Sequence, residues 1–160
     1  MYQKIMLPLD GSDTAHRAIR HASGLARATG GEIVIVQVVD SEAQILAQTA
    51  TATIEPMPAG PISAEIVHEA IAAQRQDAEA NLERAAQQLR EDGVTRVSTQ
   101  LLEGSPGEAI TSAAATLGCD LVVMGTHGRS GIKRAILGSV ADHVVRHTPG
   151  IAVLLVHPES

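Results

Sequence analysis

The chain has 160 residues, 44% of them hydrophobic, with one Tyr and neither Phe nor Trp. That length suits one domain, and its core has to be built from Val, Ile, Leu and Ala, as in parallel strands covered on both faces. A formal net charge of −6 argues against broad nucleic-acid binding, which needs basic surface to displace counterions.

Cys119 is the only cysteine, so no intrachain disulfide can form, and its place before an apolar run predicts a buried thiol. The start, Met1-Tyr-Gln-Lys-Ile-Met-Leu-Pro8, enters a strand at once, without a signal peptide's basic start and cleavage site. No apolar run approaches the roughly 20 residues of a membrane span. The expectation is a soluble, cytoplasmic protein with no membrane or nucleic-acid partner.

In chain order, Ile5-Met-Leu-Pro-Leu9 reads as a first strand, and Asp10-Gly-Ser-Asp13 turns the chain with Ser12 or Asp13 as a helix cap. Ala15, Ala18, Ile19, Ala22, Leu25 and Ala26 recur at helical spacing until Gly30-Gly31. Residues 32–39 form an apolar β-branched second strand. Residues 40–62, with Pro56, Pro58 and Pro61, read as an irregular insertion with room for a short helix over 42–48. A long helix follows over 63–91, its apolar positions assigned to Ile66, Ala70, Ala73, Leu82, Ala85 and Leu89. A third strand is expected over 94–102, with Val97, Thr99 and Leu101 alternating. Ser105-Pro-Gly-Glu108 reads as a capping box opening a helix to about Leu117. Asp120-Leu-Val-Val-Met124 is a fourth strand, 139–147 a last helix, and Ile151-Ala-Val-Leu-Leu-Val156 a fifth strand after Pro149-Gly150. Strands alternating with helices predict a single doubly wound, five-stranded parallel sheet with helices on both faces, Rossmann-like, in one domain over 1–160.

Ligands of such sheets bind beyond the carboxyl ends of the strands, where strand order reverses. Pro8-Leu9-Asp10, Val38-Val39-Asp40 and the segment from Met124 to Val140 should meet there. Within that segment, Gly125-Thr-His-Gly128 is followed, after nine residues, by Gly138-Ser139. Glycines after a strand and before a helix let the backbone approach an anion and turn free N–H groups toward it. Together with Lys4-Ile-Met-Leu-Pro-Leu-Asp10-Gly-Ser12, Val34-Ile-Val-Gln-Val-Val-Asp40 and the final apolar strand, this pattern resembles the ATP-binding branch of the universal stress protein family over nearly the whole chain.

That resemblance implies an adenine nucleotide α-hydrolase-like fold, with Pro8, Leu9, Asp10 and Val38 bordering adenine and ribose. It places Gly125, Gly128, Arg129, Gly138, Ser139 and Val140, next to Met124, around ribose and phosphates. It also implies a stress-response regulator binding ATP with Mg²⁺ or Mn²⁺, and a homodimer pairing through Ile151-Ala-Val-Leu-Leu-Val156. Asp10 is a candidate ribose or metal contact, or a helix cap; Asp40 has the same two readings. Arg129, Lys133 and Arg134 are candidate phosphate partners or solvated cations.

No catalytic residue is assigned. His127 lies in the glycine loop but has no nucleophile beside it, and His143-Val-Val-Arg-His147 has metal-like i, i+4 spacing without the Glu of a zinc-protease helix. Walker A, dinucleotide and nucleophile-elbow signatures are missing. Binding with slow or no hydrolysis is the leading expectation. A cyclic AMP-binding member, a metal-dependent ATPase and a nucleotide-free dimeric interaction protein are the alternatives.

Overall fold

The computed structural model describes residues 1–51, 64–126 and 137–157. Its elements are β1 (Lys4–Leu9), α1 (Asp13–Thr29), β2 (Glu32–Val39), α2 (Glu42–Thr51), α3 (Ala64–Glu91), β3 (Val97–Glu103), α4 (Pro106–Thr116), β4 (Leu121–Gly125), α5 (Ser139–His147) and β5 (Ala152–Val156). All strand pairs are parallel and the order is β3-β2-β1-β4-β5. The chain starts in the middle, winds outward to β3, then returns to the other side of β1. The expected doubly wound α/β sheet is therefore the observed one, with strand order reversing between β1 and β4.

Alternation along the strands builds two cores. Ile5, Leu7, Leu9, Ile33 and Ile35 meet Ile19 and Ala22 of α1 and Leu82, Ala86 and Leu89 of α3 on one face. Met6, Val34, Val36, Val122 and Met124 meet Ile110 and Ala114 of α4 and Ala141 and Val144 of α5 on the other. Strands apolar on both sides suit a sheet that is covered on both sides.

Four local expectations need correction. Ser105 is the N-cap of α4, but its side chain makes no capping hydrogen bond, so the box with Glu108 is not formed; Pro106 at the first helical position sets the start instead. Ser98, Thr99 and Gln100 are exposed, because β3 is an edge strand and starts at Val97. The short second helix runs on to Thr51, with the rest of the insertion outside the described residues. Finally, Ile66 is 59% exposed and Ala70 and Ala73 are exposed, whereas Val67, Ala78, Leu82, Ala85, Ala86 and Leu89 are buried. The buried seam in the first half of α3 thus lies on a different face from the one assigned.

The amino-terminal edge of the sheet is closed by polar bonds. Asp120 accepts from the N–H groups of Gln3 (2.7 Å) and Lys4 (3.1 Å), tying the starts of β1 and β4. Gly30 ends α1 with φ of 69°, and Arg96 donates to its carbonyl. A Cβ on Gly31 would stand 2.6 Å from the Tyr2 carbonyl oxygen, so the close crossing there requires glycine.

Candidate functional site

The carboxyl edge is open. The ladder between β1 and β4 ends at Met6 and Val122, while that between β1 and β2 runs on to Leu9 and Gln37. Beyond the last β1–β4 pair lies a cavity of about 830 Å³ at the reversal of strand order. Pro8, Leu9 and Asp10 line it from β1, Val38 from β2, and Met124 and Gly125 from β4; Gly138, Ser139 and Val140 close it from the start of α5. Sequence segments far apart in the chain therefore meet on one wall. Gly128 and Arg129, with His127, Lys133 and Arg134, fall outside the described residues.

Two turns shape this wall. Asp10 Oδ1 accepts from the Ser12 N–H at 2.9 Å, Gly11 between them takes φ of 79°, and Ser12 caps α1. Of the two candidates for the cap, Ser12 is the one used, while the Asp10 carboxylate braces the turn at the cavity. Across the reversal point, Thr126 is buried; its N–H donates to the Val156 carbonyl at 3.0 Å and its own carbonyl accepts from the Gly138 N–H at 2.8 Å. One residue thereby ties the end of β5 to the entry of α5. Its role is invisible in a glycine-spacing motif, because it depends on the carbonyl at the far end of another strand.

Gly138 has φ of −61° and ψ of 151°, a conformation open to any residue, and it offers no side chain to cap α5. Its backbone angles do not themselves require glycine. Ser139, Val140 and Ala141 form the first turn of α5, whose N–H groups have no partner inside the helix, and all three line the cavity. Uncapped first-turn donors together with the helix dipole favour an anion at this position.

The far wall comes from α3, which no motif in the sequence links to the site. Gln74, Asp77, Asn81 and Arg84 line the cavity opposite α5, with Gln37 beneath them on β2. Asp40 is not on the cavity wall; it accepts a hydrogen bond from Gln74. Among the described lining residues there are carboxylates, amides and Arg84, and no His, Cys or Lys. His143 and His147 stack at 4.1 Å between ring centroids, and His147 Nδ1 is 2.8 Å from the His143 carbonyl oxygen. Their i, i+4 spacing is used in packing. Cys119 is buried, and burial pushes its thiol above the ordinary range, with Asp120 and Glu32 adding to the rise and Lys4 opposing it.

A doubly wound parallel sheet with a cavity at the reversal of its strand order defines an α/β protein of the Rossmann-like class. The model of the universal stress protein family matches residues 1–157, and the chain belongs to that family. It is similar to universal stress protein MJ0531 of Methanocaldococcus jannaschii, with 33% identity covering 96% of this chain and 82% of that one. The solved structure of MJ0577, from the same organism, aligns with a TM-score of 0.80 at 27% identity, covering 100% of this chain and 99% of that one. A universal stress protein crystallised in complex with cAMP aligns with a TM-score of 0.65 at 25% identity, covering 99% and 98% of the two chains.

Proposed function

We propose that this chain is an adenine-nucleotide-binding, cytoplasmic stress-response regulator that takes ATP with Mg²⁺ or Mn²⁺ and turns it over slowly or not at all. The observation that carries this reading is the meeting of Gly125, Gly138 and the uncapped first turn of α5 on one wall of the cavity. In it, Gly138, Ser139 and Val140 hold phosphate, and Pro8, Leu9 and Val38 border the base and ribose. Asp10, a carboxylate on the same wall, fits a divalent ion shared with the phosphates. The bound ion would neutralise phosphate charge. Gly128 and Arg129 complete the proposed loop.

Cyclic AMP is the second reading, favoured by the cAMP complex of a related protein. Isothermal titration of nucleotide-stripped protein with MgATP and with cyclic AMP tests both. Saturable MgATP binding without multiple turnovers supports the first reading; binding of cyclic AMP alone transfers the site to the second. No binding of either by folded protein overturns both and leaves a protein-interaction role.

The same proposal includes a homodimer through β5. That strand is an edge of the sheet and Leu154 on it is 36% exposed, a pattern that invites pairing. Light scattering after size-exclusion chromatography should give twice the chain mass, and Leu154→Lys should reduce it to one chain with an unchanged circular dichroism spectrum. A monomeric parent protein would contradict this part.

A further inference from the structure

We propose that Gln74 is the residue by which this site distinguishes a 6-amino purine from a 6-oxo purine, with Asp40 holding its amide in the reading orientation. The inference rests on the nucleotide reading of the cavity and deepens it.

The buried seam of α3 runs through Val67, Ala78, Leu82, Ala85 and Leu89. Gln74 and Asn81 are seven residues apart, so they share a helix face, and both line the cavity beside Ala78 on that seam. Beneath them the apolar run Ile33-Val-Ile-Val36 of β2 is broken by Gln37, which is only 7% exposed. Its amide oxygen lies 2.7 Å from Asn81 Nδ2 in a hydrogen bond. Buried amides at positions patterned for apolar residues are costly unless matched, and here they collect at one end of one cavity. Strand order places that end beyond β2, on the side of β1 away from β4 and α5. A nucleotide whose phosphates meet the start of α5 therefore presents its base to the amides.

The orientation of Gln74 is fixed by its neighbour. Gln74 Nε2 donates to Asp40 Oδ2 at 3.4 Å, and a carboxylate only accepts, so the amide NH₂ has to face Asp40. The carbonyl is turned the other way. Gln74 Oε1 is shielded from solvent and accepts no hydrogen bond from the described residues. A buried acceptor without a donor is a cost that a ligand N–H can remove. Adenine carries an amino donor at C6; a 6-oxo purine carries an acceptor there and would set one lone pair against another. The long 3.4 Å bond lets the half-buried side chain shift its carbonyl toward the base while the NH₂ stays on Asp40.

The test uses intact, nucleotide-stripped protein titrated with MgATP and MgITP, which carry the 6-amino and 6-oxo purine on the same triphosphate. The parent should bind ATP more tightly by on the order of tenfold. Gln74→Leu should lower ATP affinity to that of ITP while leaving ITP nearly unchanged. Asp40→Asn should also erase the ratio, because an amide can donate as well as accept and frees Gln74 to turn; a merely structural loss would weaken both ligands alike. Thermal unfolding checks each variant, and Gln74→Met carries the same test should the Leu variant not fold. A parent that binds both nucleotides equally, or a folded Gln74 variant that keeps the ATP preference, overturns this inference and leaves the nucleotide reading standing. A parent that binds neither nucleotide overturns the nucleotide reading itself.

Discussion

The two edges of the sheet use backbone polar groups in opposite ways. At the amino-terminal edge, Asp120 accepts from two N–H groups at the start of β1, the Glu32 N–H donates to the Gln3 carbonyl, and Gly31 packs against Tyr2. At the carboxyl edge, β1 and β4 stop pairing early, Gly138 offers no side chain to cap α5, and a cavity of about 830 Å³ remains. Donors consumed inside the fold stabilise it; donors left at a recess are available to a ligand. The same kinds of residue, glycine and aspartate, do both jobs, and only their position in the topology separates them.

The largest expected effect falls on the open edge. Gly138→Val, whose backbone angles any residue can adopt, should weaken MgATP binding roughly 100-fold by filling the wall while leaving the melting temperature nearly unchanged. Calorimetric titration beside a thermal melt checks this, and a variant that binds normally would remove Gly138 from the site. Next comes the closed edge: Asp120→Ala should cost about 2 kcal/mol and lower the melting temperature by roughly 4–8 °C, with nucleotide affinity retained. Equal losses of stability in both variants would erase the distinction between the edges.

The smallest effect concerns Cys119, near the closed edge. Because burial raises its pKa, the folded chain holds the thiol proton more tightly than the unfolded chain. Its contribution to stability is complete below the ordinary thiol range and is lost as pH rises through the higher folded value. Labelling by a thiol reagent at mildly alkaline pH should be at least about tenfold slower in the folded protein than in denaturant. Cys119→Ala should remove that part of the alkaline decline in stability. Rapid labelling of the folded chain would contradict the buried assignment.

Much of this contrast is legible in the sequence, for reasons specific to each region. Residues 32–39 and 139–147 coincide with β2 and α5 because a β-branched run and a helix entered from Gly138 carry their own boundaries. The wall residues Pro8, Asp10, Val38, Gly125 and Gly138 follow from topology, since strand ends in a doubly wound sheet share an edge. The α3 wall is not legible in the same way. Gln74 and Asn81 stand on the buried seam, and their polarity shifts the apparent apolar face toward Ile66, Ala70 and Ala73, which are exposed. A polar residue facing a cavity looks, in sequence, like one facing solvent. Ser105 fails as a side-chain cap despite suitable spacing, since a spacing pattern does not establish a hydrogen bond. Thr126 is also missed, because its partners Val156 and Gly138 are set by strand order rather than by local pattern.

The most direct measurement is a two-dimensional amide NMR titration of the ¹⁵N-labelled protein with MgATP. Saturable shifts are expected at Leu9 to Ser12, Gln37, Val38, Gln74, Asn81, Gly125 and Gly138 to Ala141, with Gln3, Lys4, Gly31, Glu32 and Asp120 nearly silent. Shifts concentrated at the closed edge, or none anywhere in a well-dispersed spectrum, would contradict it.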